Sequence, residues 1–297
     1  MGAGTITSRH LGTFVAAKRQ IALRMASPKI VVLGGSNVLY GIRAESLQKA
    51  LGQPAVNFGF VMNFGPDYLA RLAESVLRPG DTLVLSLEYE EYQNTLFRDA
   101  MLMQQVFGND LPYFRSLPPG DQLRWVLGLD KKRIKYGLLV RLGYREKEKP
   151  LGVDEVVSPW GDIASNTRAN QTEKERQSLY LRRIPDHAAL LPDDTKVWPV
   201  LLGLRDWCAR NRVRLLVTFP PYYFPETPGA AARLDLFFNH LLAFYDRNGF
   251  VRLDTPWENL HPREDFFNSE YHLLLDKAEG RTAVLAAELL ASEPKSP

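Results

Sequence analysis

The sequence predicts an α/β domain in which helices cover both faces of a parallel sheet. Three observations carry that expectation. Five short apolar runs, at 29–33, 55–58, 82–87, 214–219 and 250–254, have the length and continuous hydrophobicity of strands buried on both faces. Helical periodicity separates most of them. The chain has 297 residues, 45% hydrophobic and 24% charged, so one large core with insertions is within its means.

Taken in order, residues 1–8 read as a frayed start, and Phe14 to Met25 as a short basic amphipathic helix. The first strand runs into Gly34-Gly35-Ser36-Asn37, where two glycines permit a sharp turn and close backbone approach. The second leads into Asn57-Phe58-Gly59. Leu69, Leu72, Ala73 and Val76 then recur at helical spacing, and Arg78-Pro79-Gly80-Asp81 ends that helix before the third strand. The stretch from the third strand to the fourth is far too long for one crossover, so about 90–195 reads as an insertion. It holds a helical stretch at 121–127, a loop at 158–170 and a linker at 185–194. Three further helices follow from the spacings Val197, Leu201, Leu204, Cys208, then Leu234, Phe238, Leu241, Tyr245, then Ala278, Thr282, Leu285, Leu289. The organisation is an N-terminal arm or helix at 1–27, the main domain at 28–291 and a tail at 292–297. The architecture is a flavodoxin-like three-layer sandwich with about five parallel strands and an inserted subdomain after strand three.

Composition narrows the function. A formal net charge of +3 does not argue for a nucleic-acid partner. The basic run Lys131, Lys132, Arg133, Lys135 precedes Leu138-Leu139-Val140 and reads as a solvated helix face, with contact to an anionic surface as the alternative. Cys208 is the one cysteine and falls in an apolar stripe, which removes disulfides and cysteine-based zinc sites within the chain. His10, His187, His240 and His261 share no spacing and no H-E-x-x-H occurs, so neither a metal nor a cofactor is expected. No run of 18 apolar residues suggests a spanning helix, and no secretory h-region stands out.

In open α/β sheets ligands bind beyond the carboxyl ends of the strands. Ser36 stands there, at or just before a helix start, where free N–H groups favour a developing oxyanion. It also reads as a plain N-cap. Phosphate binding is a rival use of the loop, weakened by the absence of G-x-G-x-x-G and G-x-x-x-x-G-K-[ST]. A hydroxyl needs a base to become a nucleophile, and imidazole is the usual one. His272, in Phe266-Phe267-Asn268-Ser269-Glu270-Tyr271-His272-Leu273, follows the fifth strand and opens on the same sheet edge. Alone, it reads more readily as a helix-entry or capped histidine, and it gains weight only beside Ser36.

These segments together resemble the SGNH (GDSL-like) hydrolases. Gly34-Gly35-Ser36-Asn37 is similar to the block carrying the nucleophilic serine. Asn57-Phe58-Gly59 is similar to the block whose glycine N–H helps form the oxyanion hole. The Phe266–Leu273 stretch with Gly280-Arg281-Thr282 is similar to the block carrying acid and histidine. The pattern looks closest to the branch of the D-alanyl-transfer protein of teichoic acid synthesis and the alginate acetylation proteins; Leu87-Glu88-Tyr89 and Pro220-Pro221 add to that likeness. The resemblance implies an esterase or O-acyltransferase acting on acyl esters of a glycan or a small ester, with Ser36 as nucleophile and His272 as base. It also implies an extracytoplasmic setting and a membrane-bound acyl-transfer partner.

Two departures are visible. The acid before the histidine is missing, leaving Asn268 to orient the ring, with Glu270 or Asp265 as substitutes. The Gly-x-Asn-Asp block is replaced by Glu88-Tyr89-Glu90-Glu91, so Gly35, Asn37, Gly59 and Asn63 are the candidate oxyanion donors, with Glu88 beside them. Tyr222 is a candidate wall of an acceptor cleft or part of a rigid turn, and Trp160-Gly161-Asp162 with Asn166 reads as a surface loop, with reach into the cleft as the alternative. Three other functions stay open: a scaffold that binds polysaccharide without catalysis, a nucleotide binder, and a glycosidase using Glu88, Glu90 or Glu91, for which no second acid is placed.

Overall fold

The computed structural model describes residues 4–60, 64–92, 99–144, 157–181 and 195–293. Helix α1 (Ile6–Arg24) precedes β1 (Ile30–Gly34), α2 (Ser36–Gly41), α3 (Ala44–Leu51), β2 (Ala55–Gly59), α4 (Pro66–Glu74) and β3 (Thr82–Ser86). Then come α5 (Ala100–Asn109), α6 (Leu111–Ser116), α7 (Pro119–Leu127), α8 (Lys131–Arg141) and α9 (Glu173–Leu181). The chain returns through α10 (Val197–Arg210), β4 (Arg214–Val217), β5 (Tyr222–Tyr223), α11 (Pro228–Arg247), β6 (Val251–Arg252), β7 (Leu260–His261) and α12 (Leu275–Ala291).

Five strands form one parallel sheet in the order β2-β1-β3-β4-β6, and β5 and β7 pair separately. Strand geometry sends alternate side chains to opposite faces. Val31, Leu33, Val56, Phe58, Leu83, Leu85 and Val217 therefore share one core with α1, α4, α10 and α11. Ile30, Val32, Ala55, Val84 and Leu216 face the other way, onto α3 and α12. That is the predicted three-layer sandwich. Each fully buried aliphatic side chain contributes about 1.5–3 kcal/mol, so the central strands dominate stability. Observed strands are shorter than the apolar runs at β4 and β6; beyond them the Thr218 hydroxyl and the Phe219 N–H donate to the Asp254 carboxylate.

One expectation about organisation needs correcting. The start is not frayed from residue 4 onward: Thr5 caps α1 through the Ser8 N–H at 3.2 Å, and Ser8 is buried against Gly108 of α5. Of the arm or helix expected at 1–27, the structure has the helix, and α1 is part of the main core, since Leu11, Phe14, Val15 and Ala22 lie within it. The linker expected at 185–194 lies outside the described residues.

At the amino edge of the sheet, Lys29 and Asp81 form a fully buried ion pair at 2.6 Å. Asp81 also accepts from the Lys29 and Arg78 N–H groups, so its lone pairs are filled and the charge is compensated.

Candidate active site

Helix α2 sits directly on the carboxyl ends of β1 and β2, and two glycines make that possible. A Cβ on Gly34 would fall 2.2 Å from the Ser86 carbonyl oxygen, and one on Gly59 would fall 2.3 Å from the Leu39 nitrogen. Neither glycine uses left-handed backbone, and Gly35, the N-cap of α2, has φ −80°. The glycines therefore provide proximity rather than the sharp turn expected.

Ser36 opens α2. Its hydroxyl donates to Glu88 Oε1 at 2.7 Å, and the Asn37 N–H donates to the same oxygen at 2.7 Å. Burial, foremost, together with repulsion from Glu90 and Glu270, pushes the Glu88 carboxyl up to about 8, despite the bonds from Ser36 and Asn37 that favour its ionised form. At neutral pH the group is mainly protonated. Oε1 then acts as a carbonyl oxygen accepting two bonds, and the proton resides on Oε2, which is buried without a hydrogen-bond partner. Glu91 accepts from the Glu88 N–H at 2.9 Å, and burial and Glu88 hold its own carboxyl well above the usual range.

His272 lies between β7 and α12. Its ring stacks on Tyr40 with centroids 4.0 Å apart, and Nδ1 lies 2.6 Å from Asn268 Oδ1. Asn268 Nδ2 in turn donates to Glu175 Oε1 of α9 at 3.3 Å. A carboxylate accepts only, which orients the amide with its oxygen toward the ring. The amide oxygen also accepts only, so Nδ1 carries the hydrogen and a neutral ring keeps its lone pair on Nε2. Asn268 therefore orients the ring through Nδ1. Asp265 instead pairs with Lys277 at 3.1 Å and lies 3.6 Å from His261.

Tyr40 follows Ser36 by four residues on α2, so the two share a helix face, and the Tyr40 ring carries His272. The two distant loops thus meet at one sheet edge. Among the described residues no hydrogen bond joins Ser36 to His272; the Ser36 hydroxyl is directed to Glu88.

Other candidates depart from expectation. The Gly59 N–H donates to Asn57 Oδ1 at 3.0 Å, so it is already engaged within β2. The Asn37 side chain turns away from the serine to Ser86, its Nδ2 lying 2.8 Å from Oγ and 3.1 Å from the carbonyl oxygen. Tyr222 is completely buried between Tyr89 and Tyr271, which makes it core and not a cleft wall. Asn63 lies outside the described residues. The segment read as a surface loop is instead a clamp. Asp162 caps α3 through the Ala44 and Glu45 N–H groups, and buried Asn166 bridges the Tyr40 carbonyl at 3.0 Å and the Leu273 carbonyl at 2.8 Å.

Arg281, read in the sequence only as part of Gly280-Arg281-Thr282, shares one helical stripe with Ala278, Thr282 and Leu285, which is a legible sign of a buried arginine. It donates to the Phe219 carbonyl at 2.8 Å and to Ser86 Oγ at 3.3 Å, tying the ends of β3 and β4 together beneath α2. Tyr40 and Glu175 carried no signal of their own, since each matters only through a contact made in three dimensions. In comparisons with known proteins, no family model matches the chain and no curated protein matches its sequence.

Proposed function

We propose that the protein is a serine esterase or O-acyltransferase of SGNH type, with an acyl ester of a glycan or related small ester as substrate. One observation carries the reading: Asn268 fixes His272 in the tautomer a general base needs, on the ring that rises from the same helix face as Ser36. In the proposed reaction the Ser36 hydroxyl turns from Glu88 to His272. Ser36 Oγ bonds to the ester carbonyl carbon while Nε2 takes the hydroxyl proton. The bond to the leaving alcohol breaks as Nε2–H returns that proton, and water or a sugar hydroxyl resolves the acyl-enzyme by the same steps. The oxyanion takes the Asn37 N–H that Glu88 now occupies. Glu90 and Glu270 place negative charge near Glu88, which favours an uncharged ester over a phosphate and weighs against nucleotide binding. The glycan, an extracytoplasmic setting and an acyl-donating membrane partner rest on the family resemblance alone.

A second reading, a polysaccharide-binding scaffold without catalysis, is favoured by a different fact. The candidate oxyanion donors Asn37 and Gly59 are both engaged by the chain's own side chains. Labelling by a serine-directed fluorophosphonate, with turnover of a chromogenic acetyl ester, separates the two. Labelling and turnover that vanish in Ser36→Ala and fall in His272→Ala support the enzyme. Absence of both in the wild type, with glycan binding retained, supports the scaffold.

A further inference from the structure

We infer that the exposed face of α8, with the exposed row of α7 before it, docks on the surface of an anionic lipid bilayer. Leu123 and Leu127 of α7 lie four residues apart, as do Ile134 and Leu138 of α8 and Leu142 at its C-cap, so each set forms a row on one helix face. All five are exposed, Leu127 and Leu142 by about three-quarters, at 76% and 75%. The opposite side is anchored: Trp125 is buried against Phe107, Tyr113 and Phe114. Exposed apolar residues are ordinarily scattered singly, and a contiguous row with polar edges marks an interaction surface.

The charges choose the partner. At 100° per residue, Lys135 flanks the α8 row on one side and Arg141 on the other, Lys131 falls in line with the row one turn before Ile134, and all three are exposed. Residues 111–144 carry seven basic and two acidic side chains, while the rest of the chain carries thirty basic and thirty-two acidic. The positive character of the protein is therefore concentrated in this segment; Arg133 is buried and Arg115 lies on α6, and Lys131, Lys132, Lys135 and Arg141 stand exposed on α8. Aliphatic side chains that enter the acyl boundary, beneath lysines that meet headgroup phosphates, define a helix lying in a membrane interface. A protein partner is less well matched, since protein interfaces favour aromatic residues and exclude lysine at their centres. A second copy is disfavoured because two-fold pairing would set this cationic rim against itself. No described helix is long and apolar enough to cross a bilayer, so the contact is peripheral.

Cosedimentation of the full chain with vesicles tests this. One set contains phosphatidylcholine alone, the other equal parts phosphatidylcholine and phosphatidylglycerol. The expected result is binding to the anionic vesicles, release at high salt, and little binding to the neutral set. The triple variant Lys131→Gln/Lys132→Gln/Lys135→Gln should bind roughly a hundred-fold more weakly. Ile134→Ser/Leu138→Ser should lose binding while keeping the wild-type melting temperature, since both positions are exposed. Wild type that fails to bind anionic vesicles, or variants that bind as well as wild type, would overturn the inference. So would a concentration-dependent dimer that Ile134→Ser/Leu138→Ser dissociates, which would assign the face to a second copy. The region shares no residue with the Ser36–His272 site, so loss of vesicle binding and loss of ester turnover report on separate claims.

Discussion

Replacing Glu88 by glutamine tests the electrostatics of the candidate site without requiring a substrate. An ordinary glutamate titrates near 4.5, and burial pushes Glu88 up to about 8. The folded state therefore keeps a proton that the unfolded chain gives up across that interval. The stabilisation from this group is complete below the unfolded value and disappears as pH rises through the folded one. At about 1.36 kcal/mol per pH unit the difference corresponds to roughly 5 kcal/mol. Glutamine retains a carbonyl oxygen for Ser36 and Asn37 but cannot ionise. Its amide nitrogen replaces Oε2, which has no partner, at a pH-independent cost of about 1–3 kcal/mol. Glu88→Gln should therefore be less stable than wild type near about pH 5 and more stable near about pH 9, with a crossing between them. Glu91 is raised in the same direction and leaves a residual slope in the variant. Urea denaturation of both proteins across that range, at constant ionic strength, gives the two profiles. Parallel profiles would mean that Glu88 is ionised in the folded state, and the account of the Ser36 environment would be wrong.

Asp81→Asn should cost about 3–5 kcal/mol, because it strands the buried Lys29 ammonium; denaturant midpoints measure this, and Lys29→Met/Asp81→Leu should recover most of it. Lys18 is buried with its Nζ on the Asn57 and Gly161 carbonyl oxygens, and burial lowers it from 10.5 to about 7. Since the unfolded chain holds that proton more readily, stability should rise with pH between those values; Lys18→Met should abolish the rise, and an unchanged slope would refute the assignment. Asn268→Asp alone should not improve ester turnover, because it sets a second carboxylate against Glu175, 3.3 Å away. With Glu175→Gln the same change should raise both turnover and the apparent pKa of its acidic limb, and equal effects in both backgrounds would count against the His272–Asn268–Glu175 relay.

Much of the sheet was legible because burial on both faces leaves few polar positions in a strand. Val31, Val32, Leu83 and Val84 have no other environment in which so apolar a run is stable. Ser36 and His272 were legible as well, since the loops after β1 and before α12 open on one edge. The clamp at Asp162 and Asn166 was not legible. Its residues are those of any polar loop, and only the fold buries them against Tyr40 and Leu273. Tyr222 failed for the opposite reason: an aromatic after a strand end looks available to ligand until β7 and Tyr271 close over it.

Periodicity and turn chemistry are local, and they alone determined the layered α/β order, the strand-end placement of Ser36 and the helix that carries the basic run. Which lone pair or proton each polar group meets depends on partners scores of residues away. The tertiary structure therefore decided that Glu88 receives the serine hydroxyl, that Asn268 sets the His272 tautomer, and that the α8 leucines face outward among lysines. A sequence records donors and acceptors, but only a folded chain brings a donor within hydrogen-bond range of one particular acceptor.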